Sequence, residues 1–309
     1  MDDPSTSSRI KASADFSQAR KKVFMERILS ALAGRPTRLL SYEEVRQNLH
    51  LRERGAPRLK DIPLDKIVGS VGRYKDFTRT FLPLEEHLKE RWVRVDALAI
   101  GQSGFPPIEV YKVGDVYFVR DGNHRVSVAR QMGSPTIQAH VTETTSRVLP
   151  DTDTTQDELA GMKEYTLFLE QTQLDRLRPQ QDLKCSVPGH YHDLLEHISV
   201  HRYFMGIERD CEIPYEEAVT SWYDNVYMPL VRVIQKEAIL RDFPHRTETD
   251  LYIWIIEHEY FLREQYGVED VPDEEVAEDY AREFTEVPRR RIGRKLRGLL
   301  GTAEYHPEE

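Results

Sequence analysis

Residues 116–133 read VYFVRDGNHRVSVARQMG, and the apolar residues change period partway along. Val116–Val119 form the continuous apolar run of a buried strand. From Val126 onward the apolar positions are Val126, Val128, Ala129 and Met132, a helical rhythm that Gly133 ends. The two periods meet at Arg120-Asp121-Gly122-Asn123-His124-Arg125, a tight polar corner with three potential cations. A strand turning directly into a helix implies a sheet with a helix packed on it, and fixes where its polar junction lies.

The flanking sequence extends this into a small α+β domain over residues 56–148. IPLDKIVG at 62–69 reads as a strand, with turn chemistry at Gly69 and Gly72. A helix is predicted from about Pro83 to Ala99, with proline at a tolerated early position. GFPPIEVYKVGDVYFV reads as two strands joined through Lys112-Val113-Gly114-Asp115, and TIQAHVTE at 136–143 closes the unit as a last strand. Ahead of it, residues 1–15 are rich in Ser, Asp and Lys and are expected to be disordered. Residues 16–55 hold two helices, one over Phe16–Ala33 and one after Ser41, where Ser41 and Glu44 make a capping-box pattern. Such a pair can be half of a DNA-reading helix-turn-helix or can simply pack on a neighbour.

Beyond VLPDTDTTQD the pattern becomes helical, and residues 149–288 are expected to form an all-α domain. Its best helices are 157–170, 190–205, 214–240 and 247–266. Thr247 and Asp250 cap the last, whose LYIWIIEHEYFL is apolar nearly all round and suits the centre of a bundle.

The corner has the chemistry of an anion site. A helix N-terminus offers unpaired amides and the positive end of the macrodipole, and phosphate binds there readily. Gly122 lets the backbone turn sharply and approach a ligand, and His124 and Arg125 add side-chain donors. Asp121 can cap the helix, orient an arginine, or hold a divalent cation accompanying a nucleotide.

On these residues the span 62–143 resembles the ParB/sulfiredoxin fold. The similar features are the opening strand IPLDKI, the helix leading into GFPPIEV, the hairpin, the Gly-x-His-Arg corner and the closing strand. The ParB-like domain joined to a helical domain, with LLEHISVHRYFMG and TETDLYIWIIEHEYF, also resembles an uncharacterised bacterial family. The resemblance implies a site for ATP or CTP with Mg2+, with Gly122, Asn123, His124 and Arg125 on the phosphates. In these families the loop after the first strand supplies a cation, which makes Arg73 the first candidate and Lys75 the second. His124 and Asp121 are then the candidate catalytic groups, with Asp121 as the Mg2+ ligand. Asn123 stands where sulfiredoxins carry their nucleophilic cysteine, so sulfinic-acid reduction by that route is excluded. Ser127 replaces a later arginine of the ParB motif, which argues against a partition clamp.

Other features bound the remaining functions. Asp193, His197 and His201 fall four apart and would share one helix face, an acceptable shell for zinc, manganese or iron, although hydrogen-bonded histidines explain the spacing as well. Cys185 and Cys211 have no paired-thiol spacing, so neither a disulfide framework nor a cysteine zinc site is indicated. RRRIGRKLR at 289–297 packs six cations into a short amphipathic tail after an acidic stretch; it can pair with that stretch or reach for DNA. The net charge of −10 argues against a surface that is basic throughout, without excluding a local cationic groove. The longest apolar run, LYIWII, is far short of the ~20 residues of a membrane span. The first residues lack the apolar core of a secretory signal, so a cytoplasmic protein is expected. The expected function is nucleotide binding, coupled to phosphoryl transfer, hydrolysis or a switch. The alternatives are a DNA-associated regulator and a metal-dependent nuclease, which would need Asp121 and Glu109 as ligands. A second copy of the chain is a candidate partner.

Overall fold

The computed structural model describes residues 6–33, 36–100, 105–266 and 272–284. The chain forms two compact units that divide between Thr166 and Leu167. The division falls later than residue 149 for a packing reason. Arg79 donates to the carbonyls of Thr152 (2.9 Å) and Thr154 (3.1 Å), and Leu159 and Met162 pack beside Leu40, Tyr42 and Phe118.

The first unit is α+β. Its elements are α1 (Thr6–Ala33), β1 (Leu40–Ser41), α2 (Tyr42–Asn48), β2 (Arg52–Pro63), β3 (Ile67–Ser70), α3 (Lys89–Ile100), β4 (Ile108–Val113), β5 (Val116–Asp121), α4 (Asn123–Gln131) and β6 (Thr136–Thr145). The six strands form one mixed sheet in the order β1-β3-β5-β4-β6-β2. β3 runs parallel to β5, β5 antiparallel to β4, and β4 parallel to β6. One face carries Ile62, Phe77, Phe81, Ile108, Val119 and Val126; the other carries Leu40, Val68, Val116 and Phe118. The continuous apolar run of β5 is thus explained, because Val116–Val119 are covered on both faces.

Several boundaries differ from the expected ones. α1 starts at Thr6 rather than at Phe16, and residues 6–15 are helical. Ala12, Phe16 and Ala19 recur at helical spacing and are buried, with Phe16 against Trp92 of α3, so the Ser-rich start is held by packing. Residues 62–69 are two strands separated by a 3₁₀ turn at Leu64–Lys66. β2 begins at Arg52 and pairs along β6, with a register shift between Arg54 and Arg58 beside Gly55. As an exposed edge strand it shows no apolar alternation, which hid it. The helix expected from Pro83 begins at Lys89 after a 3₁₀ turn at Glu86–Leu88, since Pro83 is bridged to Phe77. The Ser41 cap is present: its hydroxyl accepts from the Glu44 amide at 3.4 Å.

The second unit is helical. α5 (Glu158–Thr172) contains the division, and α6 (Leu174–Leu177), α7 (His190–Arg209), α8 (Tyr215–Trp222), α9 (Met228–Lys236), α10 (Glu248–Tyr266) and α11 (Asp273–Phe284) follow. The helix expected over 214–240 is two helices joined by a π-helical turn at Tyr223–Tyr227. Pro229 lies at the start of α9, has no amide hydrogen, and crowds the carbonyl four residues earlier; the helix widens just ahead of it. α10 has its expected reciprocal cap, the Thr247 amide donating to Asp250 (2.9 Å) and the Asp250 amide to Thr247 Oγ1 (3.1 Å). Leu251, Tyr252, Ile253 and Ile255 are buried, as the all-round apolar pattern requires. No helix among the described residues is long and apolar enough to cross a membrane.

Candidate functional site

The corner is shaped by one glycine. Gly122 has φ 109° and ψ 19°, a conformation that L side chains rarely adopt. A Cβ there would lie 2.4 Å from Ile108 Cγ2, so the strand can only enter α4 this way with glycine at the junction. No side chain caps α4. By position the amides of Asn123, His124 and Arg125 have no intrahelical acceptor.

Above this helix start lies a cavity of about 220 Å³. Arg73, Arg91 and Arg120 line it together with Asp121, Asn123 and His124. Two strand-end or loop arginines, Arg73 and Arg120, and two helical ones, Arg91 and Arg125, therefore gather at the corner. Arg73 also pairs with Asp76 at 3.0 Å, and Arg120 with Glu109 at 3.6 Å. Arg91 projects from the first turn of α3 and is exposed.

His124 is the most perturbed group of the site. It is buried, its ring meets Phe77 edge-on at 5.5 Å, and neither ring nitrogen has a hydrogen-bond partner. The Asn123 Oδ1 atom is likewise buried and unpartnered. Burial, reinforced by the positive fields of Arg91 and Arg73 and by His87, brings the imidazole pKa down to about 4. At neutral pH the ring is uncharged, offering one N–H donor and one lone pair. Leaving buried polar atoms without partners is costly, and a site that waits for a ligand is one reason for it.

Asp121, Gly122, Asn123, His124, Arg125 and Arg73 are thus brought together, but two of the expected roles change. The Arg125 guanidinium donates to the carbonyls of Pro106 (2.9 Å) and Pro107 (2.7 Å) and is paired with Asp121. It braces the corner, and most of its fork is committed to protein acceptors rather than to an incoming phosphate. Asp121 is committed by the same pair, and Glu109 by Arg120, so neither carboxylate stands ready for a cation. Lys75 does not reach the cavity; its ammonium lies over the Tyr74 ring at 5.6 Å. Arg91 was not foreseen, since on the sequence it is one of several cations on a polar helix face. Ser127 relays a buried hydrogen bond. The Trp92 indole donates to its hydroxyl (2.8 Å), which donates to the Phe81 carbonyl (2.6 Å).

The expected Asp193–His197–His201 metal shell does not form. His197 Nδ1 bonds the Tyr252 hydroxyl at 3.2 Å, and His201 Nε2 bonds the Ser221 hydroxyl at 2.9 Å. Burial lowers the pKa of both rings, with Asp193 and Glu196 opposing it at His197. They are two separate packing contacts. The basic stretch 289–297 lies outside the described residues. Comparison with protein-family models, with curated proteins and with solved structures finds no match to this chain.

Proposed function

We propose that the first unit binds the phosphate chain of a nucleotide, ATP or CTP, at the β5–α4 corner. The observation that carries this reading is the buried, unpartnered His124 and Asn123 at an uncapped helix start, beneath Arg73, Arg91 and Arg120. At about 220 Å³ the cavity is below the ~300 Å³ at which whole small-molecule pockets usually begin. It suits the phosphates, with the base resting outside. The resemblance of residues 62–143 to the ParB/sulfiredoxin fold supports the same class of ligand.

In this reading the α4 amides, neutral His124 and Asn123 contact phosphate oxygens, and Arg73, Arg91 and Arg120 neutralise them. Asp121 and Arg125 act as the brace that holds the turn. A Mg2+ ion would arrive with the nucleotide, held by phosphate oxygens and water, which is its usual preference. The arrangement favours binding, and hence a switch, over phosphoryl transfer, because no carboxylate in the cavity is unpaired to serve as base. Calorimetric titration with ATP, CTP, GTP and ADP, with and without Mg2+, tests the proposal. At least one triphosphate should bind, and Arg91→Ala should weaken it about ten- to hundred-fold, the worth of one charge-assisted hydrogen bond. Heat with none of the four, or unchanged affinity in Arg91→Ala, would overturn it.

A further inference from the structure

A second cluster, in the helical unit and independent of the corner, combines sulfur, nitrogen and oxygen donors. Cys185 precedes α7, His190 is its first residue, and Asp250 lies in the first turn of α10. One ligating atom from each lies within 4.8 Å of the other two. Asp250 is fully buried and His190 is 7% exposed, while Cys185 is half-buried and forms no disulfide.

We propose that Cys185, His190 and Asp250 bind a divalent transition-metal ion of the zinc class, with the fourth position open to water or a ligand. The donor set itself selects the metal. Thiolate and imidazole favour zinc and its neighbours, whereas Mg2+ and Ca2+ take oxygens. In a tetrahedral zinc site, bonds of about 2.0–2.3 Å place ligand atoms roughly 3.3–3.7 Å apart. His190 Nδ1 and Asp250 Oδ1 are 2.9 Å apart in a hydrogen bond, so binding opens this pair by about 0.4–0.8 Å, replacing the hydrogen bond with bonds to the ion, while the sulfur takes the third corner.

The surroundings resemble the outer support that metal ligands require. Asp250 Oδ2 accepts from the Ser186 hydroxyl at 2.6 Å and from the Thr247 amide at 2.9 Å, which fixes the carboxylate plane. Oδ1 accepts from the Ser186 amide at 3.0 Å and faces His190 Nδ1 at 2.9 Å. On binding, the Cys185 thiol proton is released to solvent and the imidazole proton moves from Nδ1 to Nε2. Both freed lone pairs, and that of Oδ1, then point at the ion. Thiolate and carboxylate together balance its two positive charges, which suits a site walled by the helical core. A second mixed cluster among the described residues, His258, Asp279 and Glu283, lacks this character: Arg282 already pairs with Asp279 and opposes a cation.

Cobalt(II), added to the metal-stripped full-length protein, tests the proposal, because a thiolate ligand gives a cobalt charge-transfer band in the near ultraviolet. The band should appear and saturate at one equivalent. It should vanish in Cys185→Ser, persist in Cys211→Ser, and need at least tenfold more cobalt in His190→Ala. Cys185→Ser is nearly isosteric at a half-buried loop position, so its far-ultraviolet dichroism should be unchanged. Absence of the band in the unmodified protein, or its survival in Cys185→Ser, overturns the assignment.

Discussion

Replacing His124 by glutamine should remove a specific acid sensitivity. In the native state the His124 pKa lies at about 4, against about 6.5 for an exposed histidine in the unfolded chain. Because the native value is the depressed one, the unfolded chain takes up the proton first as pH falls. Stability is therefore whole above pH 6.5 and is lost as pH drops toward 4. Between pH 7 and pH 5 this linkage is worth about 2 kcal/mol. In a unit of this size that corresponds to about 4–8 °C in Tm. Glutamine keeps a polar side chain at the helix start but cannot titrate. Urea unfolding at pH 7, 6 and 5, in phosphate-free buffer, gives the comparison. The unmodified protein should lose about 2 kcal/mol more than His124→Gln over that range. Groups that titrate elsewhere cancel in the difference. Parallel pH profiles for the two proteins would refute the claim that His124 is held neutral by its surroundings.

Two other substitutions probe the frame around the site. Gly122→Ala combines a left-handed backbone with overlap on Ile108 and should cost about 2–6 kcal/mol in urea unfolding; a loss below about 0.5 kcal/mol would contradict the geometry. Arg79→Met should cost about 3 kcal/mol, because the buried guanidinium serves the carbonyls of Val68, Thr152 and Thr154. An unchanged denaturation midpoint would show that those carbonyls find other partners.

Much of the fold could be read from the chain because its signals were local. The change of period across Gly122 located β5, α4 and the corner between them, and Thr247 with Asp250 marked the start of α10 to within a residue. What escaped depended on distant partners. β2 is polar and exposed, and only β6 makes it a strand. Residues 6–15 are helical because Ala12 and Phe16 are buried, and nothing nearby in sequence announces that partner. At the site, residue types located the polar corner at the start of α4, but not which cations remain available. Arg125 looked like the obvious fork, yet the Pro106 and Pro107 carbonyls take it, and Arg91 on α3 occupies the rim instead. Likewise His190 gained its neighbour from a residue sixty positions away, whereas the evenly spaced His197 and His201 turned to different helices.

The central claim is that phosphate comes to His124. Its imidazole resonances, followed by NMR through a pH titration with and without the triphosphate that binds, test this most directly. A bound phosphate chain should favour the protonated ring and raise its pKa from about 4 by a unit or more. A triphosphate that binds yet leaves the His124 titration unmoved would place the ligand elsewhere and contradict the account.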